Sequence, residues 1–272
     1  MITKMPEGKI YEKSGHRTVF FQLARKVEMD HVSNASYYAW LDDEKAAVGN
    51  SVRGAQIVEK SDARENPPLN TAIYYDTAGL DILPTGALLR TSCNKITHAF
   101  CAFKGKEDKY GVRRDNRHVF DGEEKRAIQR DPSGDRAVSI VRSLMARTDI
   151  DHPGNHLERE TGICPTSLYP ALLLDDLRYT FYVWLDEMDS LRCSIDRAQV
   201  RSLREGIGNP EYVPVAEVEI AIYPRISDEV ARDPRVVEVI DYLTNSLVER
   251  FGSRVTKMIK YQRAAAVLDM VG

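Results

Sequence analysis

A chain of 272 residues, 43% apolar and 29% charged, is long enough to bury a full core and is ordinary for a globular protein. A formal net charge of −3 gives no global reason to expect a nucleic acid duplex or an anionic membrane as partner, so any anion site must come from local placement of lysine and arginine. The start MITKMPEGK lacks an apolar signal stretch, and no run approaches the roughly 20 apolar residues of a membrane span. Cys93, Cys101, Cys164 and Cys193 form neither a CxxC pair nor a zinc-ligand spacing. Together these features read as a cytoplasmic protein with buried free thiols.

In chain order, residues 17–28 carry the β-branched and aromatic content of a first strand, and 34–62 read as mixed, partly helical material. Residues 62–70 contain Pro67 and Pro68 and are expected to form a loop. Short strands are expected at 72–76 and 86–92, and a hairpin at 97–104 and 112–120, around Gly105 and Gly111. Residues 122–148 have helical spacing interrupted at Pro132, Ser133 and Gly134, which predicts two helices. The prolines and glycines of 149–170 predict a long loop, in which Pro153 and Gly154 prevent a helix from joining His152 and His156 as a zinc pair. Strands are expected again at 177–186, 191–200 and 215–223, and an amphipathic helix at 235–251. This order suits an antiparallel sheet rather than alternating βαβ units.

The informative feature is charge at alternate strand positions, since a strand sends residues i, i+2 and i+4 to one face. The segment VAEVEIAIY places Glu217 and Glu219 on one face and Val218, Ile220 and Ile222 on the other. Lys104 shares a face with Phe100 and Ala102, and Arg113, Asp115 and Arg117 share another. Arg90 follows Ala87, Leu88 and Leu89, Arg178 opens a strand, and Asp196 lies within a third. Two readings fit this pattern: the solvated faces of a half-exposed sheet, or the interior of a closed barrel. In the barrel, cations would suit a polyanion, and paired carboxylates would hold Mg²⁺ or Mn²⁺ against its oxygens. Tyr37, Tyr38 and Trp40 suit core or lid packing, or stacking on a base or ring, while Tyr182 and Trp184 share a face with Arg178.

YYDTAGLDILPTGALLR, residues 74–90, resembles the strand–turn–strand segment of the CYTH superfamily, the triphosphate tunnel metalloenzymes, through Asp76, Thr77, Gly86 and Arg90. FCAFKGK resembles that family's lysine strand, giving Lys104, and GVRRDNR its Arg-x-Glu strand, giving Arg113 and Asp115. LRYTFYVWL, CSIDRAQV and VAEVEIAI resemble the strands that bring Arg178, Asp196 and the pair Glu217 and Glu219. The closing TKMIKYQRA is similar to the ending of the polyphosphate-polymerase branch and points to Lys257 and Lys260. The resemblance implies an α+β fold, an antiparallel β-barrel tunnel of about eight strands with helices outside. It implies one domain over 1–272, with a helical and loop insertion at about 121–176. It assigns catalytic roles to Lys26, Arg113 and Asp196, and substrate binding to Arg90, Lys104, Arg178, Lys257 and Lys260. Metal binding falls to Glu217 and Glu219, with Mg²⁺ or Mn²⁺ as cofactor.

The chain also departs from the family. Gln22 and Ala24 stand where the first strand would carry Glu-x-Glu ahead of Lys26, and Ser92 stands where a second arginine is expected. A register shifted to Glu28 and Asp30 restores carboxylates but loses the lysine match. Two functions follow for a small phosphorylated molecule. One is a metal-dependent enzyme acting on a triphosphate or related phosphoric anhydride, by hydrolysis or cyclisation. The other is a non-catalytic polyphosphate or nucleotide binder, or a repurposed tunnel enzyme for another phosphorylated metabolite. On the first, repulsion between Glu217 and Glu219 would leave the free fold unharmed, or even more stable, in Glu217→Ala.

Overall fold

The computed structural model describes residues 17–21, 24–60, 63–107, 112–223 and 232–270, with the side chains of 17–21 and 112–113 outside that description. Gln22 therefore lies outside the described residues, and of Arg113 only the backbone is described. All described strands join one antiparallel sheet. They are β1 (Arg17–Phe21), β2 (Ala24–Glu28), β3 (Ala55–Glu59), β4 (Leu69–Asp76), β5 (Leu88–Asn94), β6 (Ala99–Lys104), β7 (Val112–Val119), β8 (Tyr169–Leu185), β9 (Met188–Ser202), β10 (Val213–Ile222) and β11 (Val255–Thr256). Their order is β1-β7-β6-β5-β4-β8-β9-β10-β2-β11, with β3 alongside β8 beyond β4.

The expected barrel of about eight strands is thus replaced by a larger sheet. No ladder closes it among the described residues. Its two ends are nonetheless close in the chain, because β1 pairs β7, β2 pairs β10, and only residues 22 and 23 separate them.

Helices cover the apolar faces. Helix α1 (Asn34–Ser51) starts at Ser33, whose hydroxyl accepts from Ser36 N at 3.1 Å. Helix α5 (Pro234–Phe251) has Pro234 at its first position and ends at Gly252, whose φ of 61° is a left-handed conformation. Both pack on Phe181, Val183, Ile195, Val218 and Ile220 through Tyr37, Trp40, Val239 and Leu243. Val218, Ile220 and Ile222 thus face outward, as alternation requires. Tyr37 and Trp40 are core residues, and Trp40 Nε1 donates to Ser246 at 2.9 Å.

On the other side, α2 (Gly122–Arg130), α3 (Asp135–Met145) and α4 (Pro153–Thr161) cover Ile73, Leu89, Cys101 and Phe103. Helix α4 and the early start of β8 correct the expected loop at 149–170. Pro153 occupies the first helical position, where its missing N–H is no loss, and His152 caps the helix by accepting from Gly154 N at 3.1 Å. His156 pairs with Asp151 at 2.8 Å, so the helix that the prolines seemed to forbid uses both histidines locally.

The third core lies on the opposite, inner face. Tyr74 and Leu88 meet Leu174, Val200 and Val215 there, around the C-terminal helix α6 (Lys260–Val267) and its Tyr261, Ala264 and Ala265. Strands four places apart in the order, β5 and β10, therefore share one cluster. A flat sheet would hold them about 19 Å apart. Helix α6 spans part of this interval on the inner face, touching β4 through Tyr74 and β10 through Glu217.

Candidate functional site

Strand register lines up the charges. Arg178, Asp196, Glu217 and Glu28 are consecutive partners across β8, β9, β10 and β2. One step along, Thr180, Ser194, Glu219 and Lys26 form the next row. Neighbouring carboxylates at such positions repel one another unless cations intervene. In the first row they do.

Arg178 grips Asp196 with two bonds of 2.7 Å, from Nε and Nη2. Lys260, at the start of α6, pairs with Asp196, reaches Asp176 Oδ2 at 3.3 Å and lies 3.7 Å from Glu217 Oε1. Arg263, one turn later, donates to Glu217 Oε2 at 3.2 Å and to Asp30 Oδ2 at 2.7 Å. Burial pushes the Asp196 carboxyl up, but Arg178 and Lys260 outweigh it and hold the group well below the usual range. For Asp176 burial wins, and its carboxyl is raised despite Lys260 and Arg178. We call this cluster the acidic floor.

The wall formed by β2, β5 and β6 is different. Lys26 and Arg90 make no ion pair with a carboxylate among the described residues. Among the described residues Arg90 has one long bond, to Tyr74 Oη at 3.4 Å, and its buried Nε has no partner. Lys104 comes only within 3.8 Å of Asp115, which is held more tightly by Arg117 at 2.8 Å. Burial pushes the Lys104 amine down to about 8, with Asp115 and Glu219 opposing and Arg90 and Arg117 adding to the fall. Glu219 has no direct hydrogen bond or ion pair among the described residues. Burial raises its carboxyl, but Lys26, Arg178 and Lys104 together hold it below the usual range.

The structure therefore brings Lys26, Lys104, Arg178, Asp196 and Glu219 into one electrostatic neighbourhood, with Arg90 beside Lys104. Lys260 joins it on the acidic side, whereas Lys257 is exposed. Arg113 pairs with Phe20 along the backbone, and its side chain lies outside the described residues. Ser92 is buried. Ala24 sits opposite Ala221, so that row brings no carboxylate from either strand.

Sequence reasoning overlooked Asp176 and Arg263 and kept Glu28 only as an alternative register. Each had a signal. Glu28 is two residues from Lys26 and Asp176 two from Arg178 on the same strand faces, and Arg263 is three from Lys260 on one helix.

Asp76, from the strongest sequence motif, is buried and serves the scaffold. It accepts from the backbone N–H groups of Thr77, Ile82 and Leu83 and from Tyr261 Oη at 2.8 Å. Gly86 follows with a φ of 78°, which favours glycine in the turn that delivers Arg90.

A divalent metal does not fit the predicted pair. Glu217 is engaged by Lys260 and Arg263, while Glu219 belongs to the next row beside Lys26. No group of three or more histidine, cysteine or acidic residues among the described residues is arranged to hold a metal. The like-charge repulsion expected at Glu217 is likewise already relieved by its cations.

No protein-family profile and no curated protein matches the sequence. Solved structures do. A putative adenylate cyclase from Bacillus halodurans aligns over 90% of this chain and 97% of its own, with a TM-score of 0.51 at 12% identity. A putative adenylyl cyclase from Hippeastrum, described as having a dominant triphosphatase activity, aligns over 89% and 95%, with a TM-score of 0.47 at 14% identity. A putative adenylate cyclase from Vibrio parahaemolyticus aligns over 89% and 97%, with a TM-score of 0.43 at 10% identity. No helix among the described residues is long and apolar enough to cross a membrane. At the level of architecture, the chain has the fold of CYTH-type proteins, shared with the Bacillus halodurans protein.

Proposed function

We propose that this chain captures a linear triphosphate or related phosphoric anhydride between Lys26, Arg90, Lys104 and Arg178, on the inner face of a sheet rolled into a tunnel. One observation carries this reading: among the described residues Lys26 and Arg90 pair with no carboxylate, and Lys104 reaches only Asp115, at 3.8 Å. A phosphate chain supplies the missing negative charge and several acceptor oxygens. Arg178 is held by Asp196 through Nε and Nη2, which leaves Nη1 for a phosphate. Asp196 acts as a positioning residue in this scheme.

Three features support rolling. Residues 22 and 23 tie the two ends of the sheet within about 11 Å. Lys104 and Glu219 influence each other across five strand steps, which a flat sheet would spread to about 24 Å, well beyond the Debye length. The inner core around α6 joins strands from both halves.

A second reading, hydrolysis or cyclisation of the bound anhydride, is favoured by Glu219. Its carboxyl is held below the usual range, it has no direct hydrogen bond or ion pair among the described residues and it lies beside Lys26, so it can orient a water or hydroxyl at the phosphate. The metal-dependent form of that reading needs Glu217 as well, which the floor opposes.

The test is a panel of tripolyphosphate, nucleoside triphosphates and thiamine triphosphate, with and without Mg²⁺ and Mn²⁺. Binding is followed by calorimetry and every product by phosphorus NMR. Saturable binding weakened by Arg90→Ala supports capture, and turnover lost in Glu219→Gln supports the second reading. No binding to any member of the panel would sink both.

A further inference from the structure

Asp176, Asp196 and Glu217 are all buried, and each brings a carboxylate oxygen to Lys260 Nζ. In a phosphate-binding tunnel such a nest would invite a divalent ion, but the chain fills it with its own side chain. An ammonium has three N–H donors and no acceptor, and Lys260 meets three carboxylates. The spacing suits an ammonium. Asp176 and Glu217 oxygens stand 3.3 Å and 3.7 Å from Lys260 Nζ, whereas Mg²⁺ draws its ligands in to about 2.1 Å. Arg263 takes the other oxygen of Glu217, and Arg178 takes both oxygens of Asp196.

Charge is balanced as well. Burial pulls the Lys260 amine down, but Asp196, Asp176 and Glu217 more than reverse this and hold it well above the lysine range. The cation is therefore permanent at neutral pH.

Nor is the element that carries it loosely docked. Tyr261 stacks on Tyr74 with ring centroids 4.9 Å apart and donates to Asp76, while Ala264, Ala265 and Leu268 are fully buried. An entering metal would have to leave the Lys260 ammonium unpaired or undock α6.

We propose that Lys260 and Arg263 are resident counter-cations that exclude a divalent metal from the acidic floor, so that the facing anion site works without one. The exclusion stands on the floor alone, and the final clause rests on the proposed triphosphate site.

The experiment is a Mn²⁺ titration of the metal-free full chain, read by the EPR signal of free Mn²⁺. It uses wild type, Glu217→Gln, Lys260→Met and Lys260→Met/Glu217→Gln, with folding checked by circular dichroism. Wild type is expected to leave Mn²⁺ free up to about 1 mM. Lys260→Met is expected to bind at least about tenfold more tightly, with the gain lost in the double variant. The affinity of wild type for tripolyphosphate should be the same, within about twofold, in excess EDTA and in Mn²⁺.

Tight Mn²⁺ binding by wild type that Glu217→Gln abolishes would overturn the proposal. So would a folded Lys260→Met that gains no site, or tripolyphosphate binding that EDTA removes. If Lys260→Met does not fold, the comparison of wild type with Glu217→Gln decides. Should tripolyphosphate fail to bind with or without Mn²⁺, the proposed function falls, while the titration still judges the exclusion of metal.

Discussion

Asp196 and Lys104 both project from the inner face of one sheet, yet their surroundings differ in kind. Asp196 is 1% exposed and meets two cations, one of them through a bidentate grip. The Lys104 side chain is 18% exposed, and its closest carboxylate among the described residues is 3.8 Å away and is claimed by Arg117. The difference lies in what α6 supplies. Its Lys260 and Arg263 reach the carboxylates of β8, β9 and β10, and among the described residues nothing comparable reaches Lys26, Arg90 and Lys104. Low dielectric makes a paired cluster rigid and an unpaired one costly. The charges of the floor are therefore paired, with Asp176 Oδ1 left without a hydrogen bond, and the wall gains from an anion.

The comparison breaks most sharply by removing a carboxylate from the floor. Asp196→Ala strands Arg178 and Lys260 and is expected to cost about 3–5 kcal/mol in urea unfolding. Glu217→Ala is also expected to destabilise, the reverse of what the sequence alone implied. A loss below about 1 kcal/mol for Asp196→Ala would mean that the floor behaves as a surface ion pair.

Substitutions in the wall should act oppositely on folding. Arg90→Ala and Lys104→Met are expected to weaken tripolyphosphate binding by about 1.5–3 kcal/mol each in calorimetry. The free protein should keep its stability or gain some, because each change removes a crowded positive charge. Equal damage to folding in both halves would erase the distinction.

Proton linkage sharpens it further. The free protein gives up the Lys104 proton near pH 8, whereas an unfolded lysine keeps its proton to about 10.4. Between those values the unfolded chain binds more protons, so this group's contribution to the stability of the free protein rises with pH. A bound phosphate favours the ammonium, so affinity should fall above pH 8 by up to about tenfold per pH unit. Calorimetry across pH 7–9.5 checks this, and Lys104→Met should flatten the profile. The smallest effect is expected for Lys257→Ala. Its side chain is exposed, and binding and stability should change by less than about 0.5 kcal/mol.

Much of the architecture was legible in the sequence. Alternation in 215–223 placed Val218, Ile220 and Ile222 outward, and helical spacing located α5 to within a residue of its start. Local breaker signals misled elsewhere. Pro153 reads as an interruption but opens α4, and Pro170 lies inside β8 where the pairing with β4 shifts register between Tyr74 and Tyr75. The candidate site was half legible for a similar reason. Period-2 spacing says that Glu217 and Glu219 share a face but not what meets that face. The answer comes from Lys260 and Arg263, which are brought there by the docking of α6 rather than by strand periodicity.

The most direct test of the wall as an anion site is a calorimetric titration of wild type and Arg90→Ala with tripolyphosphate in excess EDTA, repeated with Mg²⁺. The account predicts saturable binding by wild type in EDTA, at least about tenfold weaker in Arg90→Ala. No heat of binding in either condition, or equal affinity in the two proteins, would contradict it.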